Sequence, residues 1–214
     1  MFTGIIEEVG RVSRIAEKNG NRRITVSSSQ LVKELKPGDS IAVSGVCLTA
    51  VEIMPKSFSA DLAQETWKRT SLSRIKKDTP VNLELPMRAD GRFGGHIIQG
   101  HVDGTGKFIS LDKISGAKDF WLRIEIPAGL ARYVIFKGSL AIEGISLTVA
   151  EIEGTKVTAA IIPHTVKMTN LSSLKSGDPV NLEVDMIAKY VEKMMKGKKE
   201  NSTITIENLV KAGF

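Results

Sequence analysis

Short apolar, β-branched runs separated by polar turns fill most of the chain. GIIEEVGRVSRI (4–15), RRITVSS (22–28), DSIAVSGVCLTAVEI (39–53), SFSADLA (57–63) and PVNLEL (80–85) have polar or Gly/Pro turns between them. Side chains alternate between the two faces of a strand, so these runs predict antiparallel β-structure with one face in a core. Helical spacing appears in SQLVKEL (29–35), ETWKRTSLSRI (65–75), PAGLARYV (127–134) and the stretch after Thr165. Near the end, DMIAKYVEKMMKGKK (185–199) sets Ile187, Tyr190, Val191, Met194 and Met195 at i, i+3, i+4, i+7 and i+8, which makes one apolar stripe on a helix.

The pattern occurs twice. Displaced by 99 positions, TWKRTSLSRIKKDTPVNLE (66–84) meets TVKMTNLSSLKSGDPVNLE (165–183) with 11 of 19 residues identical. The same displacement sets SIAVSGVCLTA (40–50) on SLAIEGISLTV (139–149), and one of 96 sets TGIIEEVG (3–10) on QGHVDGTG (99–106). A duplicated domain follows. The stretch MRADGRFGG (87–95) is the linker, and the expected units are 1–92, 93–186 and a terminal helix and tail at 187–214. The helix lacks a counterpart in the first copy, so its stripe needs a surface outside the repeat: its own barrel or, favoured here, another copy of the chain. STITIENLVKAGF (202–214) has no assigned place. A small closed sheet has no room for a ligand inside, so a small-molecule site is expected at a barrel rim or between barrels.

Composition narrows the classes. At 214 residues, 42% hydrophobic and 25% charged, the chain is ordinary globular protein. No apolar run approaches the roughly 18 residues of a membrane span, and no basic-then-apolar leader opens the sequence. A soluble, cytoplasmic protein is expected. The charge of +6 is scattered apart from KGKKE (196–200), and aromatics are 5% of residues and not interleaved with basic side chains, which argues against a single-strand nucleic-acid platform. Cys47 is the only cysteine, so no intrachain disulfide or cysteine cluster is available. His96 and His101 in GGHIIQGH lack zinc-site spacing, and GTGK (104–107) lacks phosphate-loop spacing. A metal site is not expected.

The opening MFTGII, GVCLTAVEI (45–53), GGHIIQGHVDGTG (94–106), KGSLAIEGISLTV (137–149) and the paired PVNLE segments, in this order, resemble the riboflavin synthase family of tandem lumazine-binding barrels along nearly the whole chain. The resemblance implies an all-β fold with short helices: two tandem six-stranded antiparallel Greek-key barrels plus a C-terminal helix. It implies a homotrimer joined by those helices, with active sites between the N-terminal barrel of one subunit and the C-terminal barrel of another. The implied reaction is dismutation of two 6,7-dimethyl-8-ribityllumazines to riboflavin and 5-amino-6-(D-ribitylamino)uracil, with no cofactor, nucleic acid or membrane involved.

Carried over residue by residue, one pteridine site uses Gly4, Ile5 and Ile6 with Lys137, Ser146, Leu147, Thr148, Ile162, Pro163, His164, Thr165, Val166 and Lys167. The other uses Cys47, Leu48 and Thr49 with Asp61, Leu62, Ala63, Gln64, Glu65, Thr66, Gly100, His101 and Val102. The internal repeat superposes these lists. Hydroxyls suit a ribityl chain, and strand-end backbone groups suit a pyrimidinedione. A lone Cys in an apolar strand ordinarily packs as a small hydrophobe, but the resemblance, with Ser146 as the equivalent, makes Cys47 a ligand-facing thiol. His101, ranked above His96, is expected to move a substrate methyl proton. Lys137, ordinarily a surface charge, is expected to stabilise the resulting anion, and Phe2 to serve as a lid or interface anchor. Ser44 and Glu143 stand where the family has Asn or Asp; Glu143 keeps the carboxylate with one more methylene, which makes efficiency the weakest expectation. A non-catalytic lumazine or flavin carrier of the same fold is the competing reading.

Overall fold

A computed structural model describes residues 1–18, 21–199, 210–211 and 213. The first barrel contains β1 (Glu8–Lys18), β2 (Asn21–Ser27), β3 (Ser40–Val43), β4 (Val46–Met54), β5 (Ser57–Leu62) and β6 (Pro80–Glu84). The second contains β7 (Gly104–Lys113), β8 (Phe120–Glu125), β9 (Ser139–Ile142), β10 (Ile145–Glu153), β11 (Lys156–Ile161) and β12 (Pro179–Val184). The order around the first barrel is β1-β2-β5-β4-β3-β6, all neighbours antiparallel, and the second closes in the equivalent cyclic order. Closure removes the free edges that an open six-stranded sheet exposes.

Each barrel has its own core, one built on Ile24, Ile41, Phe58, Leu72 and Leu83 and the other on Leu122, Ile124, Leu140, Ile142 and Leu182. Burying each such side chain contributes about 1.5–3 kcal/mol. Alternation decides which residues remain for chemistry. In β4, Val46, Leu48 and Ala50 point inward, while Cys47 and Thr49 point out; β10 repeats this with Ile145, Leu147 and Val149 inward and Ser146 and Thr148 outward.

Where 65–75 reads as one helix, the structure has two short pieces, α1 (Gln64–Arg69) and a 3-10 turn at Ser71–Arg74. Thr70 between them is extended, with its hydroxyl donating 2.7 Å to the Thr66 carbonyl, and this ends the helix. The second copy does the same with α3 (Pro163–Met168), Thr169 and a 3-10 turn at Asn170–Ser173. The 29–35 segment reduces to a 3-10 turn at Leu31–Lys33, and 127–134 to α2 (Ala128–Ala131).

The barrels meet along a seam of near two-fold symmetry. The Asn82 amide donates to the Glu143 carbonyl and the Asn181 amide to the Ser44 carbonyl, both at 2.9 Å. The amide oxygens accept from the opposite repeat, Asn82 from the Asn170 N–H and Asn181 from the Ser71 N–H, at 2.7 Å each. The final helix, α4 (Met186–Lys199), touches the second barrel through Tyr133 Oη donating to Glu192 at 2.5 Å and Lys189 paired with Asp103. Ile187, Tyr190, Val191, Met194 and Met195 all remain exposed. Among the described residues, no helix is long and apolar enough to cross a membrane. Most of 202–214 lies outside the described residues.

Candidate functional site

Two crossing segments build the sites. Phe2 and Ile98 exchange backbone hydrogen bonds at 2.7 and 3.1 Å, and from this bridge each segment continues to a barrel. The Gly4 carbonyl accepts from Ser146 N–H on β10, and the Gly100 carbonyl accepts from Cys47 N–H on β4, both at 2.9 Å. Ile6 then packs on the second barrel's core and Val102 on the first's. The chain's opening residues therefore serve the second barrel, and residues 98–102 serve the first.

Buried carboxylates hold the crossings. Glu84, at the end of β6, accepts from the Thr3 and Gly4 N–H groups at 2.6 and 3.0 Å and from the Thr3 hydroxyl at 2.8 Å. Glu183, at the matching place in β12, accepts from Gln99, Gly100 and His101 N–H groups at 2.7, 2.9 and 3.0 Å. Burial raises both carboxyls above the ordinary glutamate range, and these N–H groups pull against that rise. Each carboxylate belongs to one barrel and holds a segment that contributes to the other barrel's rim. Neither repeat builds its rim alone.

Gly4 and Gly100 have φ of +78° and +81°, and a Cβ at either would lie 2.6 or 2.7 Å from the backbone nitrogen of Ser146 or Cys47. Only glycine fits. The β4–β5 ladder stops at Ala50↔Ala60 and the β10–β11 ladder at Val149↔Ala159, so Cys47–Thr49 and Ser146–Thr148, paired on one edge with β3 and β9, run past the ladder on the other edge. That leaves backbone groups available at the two rims.

The structure brings Gly4, Ile6 and Ser146 together on the second barrel, with α3 following β11, and Cys47, Gly100 and Val102 together on the first, with α1 following β5. Thr49 and Thr148 face outward; Ala63, Gln64, Glu65, His101, Ile162, Pro163, His164 and Lys167 are exposed; Thr66, Thr165 and Val166 are half-buried. Leu48, Leu62 and Leu147 are core residues, so their backbones alone reach a rim. Asp61 is held by Arg23 at 2.6 and 2.9 Å, and these bonds keep its carboxyl below the usual range. Lys137 lies not on a strand but in the turn before β9, at φ +64°, with its ammonium 5.0 Å from the Phe136 ring centre. Ile5, Ile135, Phe136 and Ile162 are large apolar side chains exposed on the second barrel's side of the molecule or on the segment that serves it.

Two expected site residues lie elsewhere. Phe2 is 1% exposed, wedged with Ala42, Ile98 and Ala141 between the barrels, which makes it an anchor within the chain rather than a lid. Glu143 is 3% exposed in the seam, where it accepts from Asn181 N–H at 2.7 Å, the Asn170 amide at 3.0 Å and the Ser71 hydroxyl at 3.1 Å. Burial raises its carboxyl despite these donors. That carboxylate reaches Ser71 in the other repeat, whereas the hydroxyl of Ser44, its repeat partner, accepts from Asn82 N–H at 3.3 Å and bonds the Glu143 carboxylate.

Sequence reasoning misses Glu84 and Glu183 and ranks His96 below His101. The first two are visible as polar residues kept inside both copies of PVNLE. His96 is buried with Nδ1 2.7 Å from Ser146 Oγ, and burial pushes its imidazolium pKa down. Among the described residues no cluster of His, Cys, Asp and Glu fits a metal ion. A cavity of about 750 Å³ lies under the linker against the first barrel, lined by Ile5, Leu35, Glu84, Met87 and Arg92; neither Cys47 nor Ser146 lines it, while Thr3, Ile5 and Gly94 on its wall flank the two glycines that lie against Ser146.

Twin closed barrels with equivalent rims define a duplicated small-molecule-binding protein. The lumazine binding domain model matches residues 3–86 and 99–185. The chain is 44% identical to the riboflavin synthase of Actinobacillus pleuropneumoniae and 39% identical to that of Bacillus subtilis (strain 168), each over all of both chains. Among solved structures, LumP complexed with riboflavin superposes with a TM-score of 0.79 and LumP complexed with 6,7-dimethyl-8-(1'-D-ribityl)lumazine with 0.77, each at 22% identity over 86% of this chain and 99% of the other. These two share the fold. The chain belongs to the riboflavin synthase family.

Proposed function

We infer that this chain catalyses the dismutation of two 6,7-dimethyl-8-ribityllumazine molecules to riboflavin and 5-amino-6-(D-ribitylamino)uracil. The carrying observation is that both rims are complete: each has its crossing glycine, its holding glutamate and its outward hydroxyl or thiol. A carrier needs one intact site, whereas a reaction between two identical molecules needs two. A four-carbon unit passes between the substrates, and the two products together contain all their atoms. No oxidant or water is consumed. Holding two reactants in register can supply roughly 7–11 kcal/mol toward lowering the barrier.

The residue roles proposed here are those the family resemblance implies. His101, exposed beside Gly100, takes the proton from the acidic lumazine methyl, whose electron pair delocalises into the pteridine. The Lys137 ammonium stabilises an anion at the second rim, where Ser146 and Thr148 bind. Cys47 and Thr49 bind at the first. The half-buried free thiol of Cys47 suits a reducing compartment, in keeping with a cytoplasmic enzyme.

The productive pair forms between subunits, in a homotrimer joined by α4. The exposed stripe of that helix, with Met194 69% and Tyr190 57% accessible, is the support. Removing residues 186–214 is expected to reduce the particle to monomers by light scattering; an unchanged mass would remove α4 from the interface. The activity is tested by incubating the purified full chain with ribityllumazine alone. Riboflavin and the ribitylaminouracil should appear in equal amounts, and binding without product would leave a carrier.

A further inference from the structure

The rim helices α1 and α3 follow equivalent strands, β5 and β11, and each of these strands pairs up to its last residue with a neighbour, β2 or β8. The facing residues differ. On the first barrel Arg23 faces Asp61 and Arg22 faces Leu62, whereas on the second Trp121 faces Ala160 and Phe120 faces Ile161. Arg23 donates through Nε and Nη2 to the two Asp61 carboxylate oxygens, at 2.6 and 2.9 Å, and the Arg22 guanidinium carbon lies 4.5 Å from the centre of the Trp67 ring on α1. At the matching places of the second barrel, Phe120 and Val166 pack on the core. Two guanidiniums thus reach one rim segment, and apolar side chains stand in their places at the other.

We propose that Arg22 and Arg23 are positioning residues of the first pteridine site, fastening Asp61 and α1 to β2 by a charge-dependent clasp that the second site lacks. The proposal rests on the reading of both rims as ligand sites. Asp61 points outward from β5, between Ala60 and Leu62, which are both in the core. The β4–β5 ladder ends at Ala50↔Ala60, and continuing that register would set Asp61 opposite Thr49. The strand end is therefore open on its β4 side and tied on its β2 side. Two parallel bonds from a guanidinium fix the plane of a carboxylate as well as its position, and each oxygen keeps a lone pair for a ribityl hydroxyl. Exposed ion pairs as a class contribute little, but this bidentate geometry is the exception. Arg23 has a second anchor in Glu52 of β4, 3.9 Å away, and the Arg22–Trp67 contact adds a cation–π attraction on the helix itself.

The test is riboflavin binding to the full-length protein, followed by flavin fluorescence at low and high salt. Riboflavin is uncharged, so any salt effect on its affinity arises within the protein. Arg23→Ala should weaken half of the sites about 3- to 10-fold and leave the other half within about 2-fold. Arg22→Ala should weaken the same half about 2- to 5-fold. Between roughly 50 and 500 mM salt, that half should weaken about 2- to 3-fold in wild type, and the effect should vanish when both arginines are replaced. Adding Arg23→Ala to Asp61→Ala should cost nothing further, since the arginine acts through the carboxylate. Arg123→Ala is the control, because it breaks an ion pair of similar exposure with Asp112 on the second barrel, and both halves should then stay within about 2-fold. Equal weakening of both halves, an Arg123→Ala loss as large as that of Arg23→Ala, or multiplied losses at Arg23 and Asp61 would overturn the clasp. A wild-type chain with fewer than two riboflavin sites would instead remove the reading beneath the proposal, and the proposal with it.

Discussion

Replacing Gly100 by alanine is expected to lower riboflavin formation about 100-fold or more. Two effects combine at this position. At φ +81° an L-residue is strained by about 1–2 kcal/mol, and the new Cβ would lie 2.5 Å from Cys47 Cβ and 2.7 Å from Cys47 N. The clash is with backbone, so a rotamer change cannot relieve it. The segment must withdraw from β4, which lengthens the Cys47–Gly100 hydrogen bond and moves His101 and Val102 with it. A displacement near 1 Å at reacting groups can cost about 100-fold in rate. Gly116→Ala is the matched control: φ is +75°, nothing lies within 4 Å of the added carbon, and activity should stay within about 2-fold of wild type. Kinetics of both variants, with near-ultraviolet circular dichroism to verify the fold, separate clash from strain. A Gly100→Ala enzyme with more than a third of wild-type turnover would show that the crossing segment does not shape the site.

Much of this architecture is legible in the sequence because duplication amplifies local signals. Alternation in 40–50 and 139–149 is enough by itself to put Cys47, Thr49, Ser146 and Thr148 on the outward face. The shared PVNLE marks equivalent strands. Helix boundaries are less legible: Thr70 and Thr169 stop α1 and α3 by turning extended and bonding back to the preceding turn, and neither has a Gly or Pro to announce it. The crossings are least legible. Glu84 and Glu183 bind backbone more than 80 residues away, and the strand pattern alone does not say which barrel a segment serves. The internal repeat pairs Gly4–Ile6 with Gly100–Val102, and the family resemblance assigns them to rims. Glu143 is misread from sequence for a related reason, since its partners Ser71 and Asn181 belong to a seam that exists only after both barrels close. His96 ranks below His101 on sequence because only folding brings residue 96 against residue 146.

The fragment from residue 1 to about 90 is expected to fold and to bind ribityllumazine or riboflavin, yet to form almost no riboflavin. It contains all six strands of the first barrel and the core around Phe58, Leu72 and Leu83, and domains of this size fold alone. Its rim loses Ile98–Val102, which in the full chain comes from beyond the fragment. The fragment's own Phe2–Ile6 is the repeat equivalent of that segment, carries the matching glycine, and no longer has Ser146 to bind. With Glu84 still available to hold Thr3 and Gly4, that segment can take the vacant place against Cys47, within one fragment or by exchange between two. Affinity should therefore survive, and fluorescence titration would measure it. Turnover should not survive, because Lys137, Ser146, Thr148 and 162–167 are gone, and with them the second, different rim that must face the first. A fragment that makes riboflavin near the full-chain rate would show that one barrel type supplies both roles, and the duplication would then need another explanation than two unlike halves of one active site.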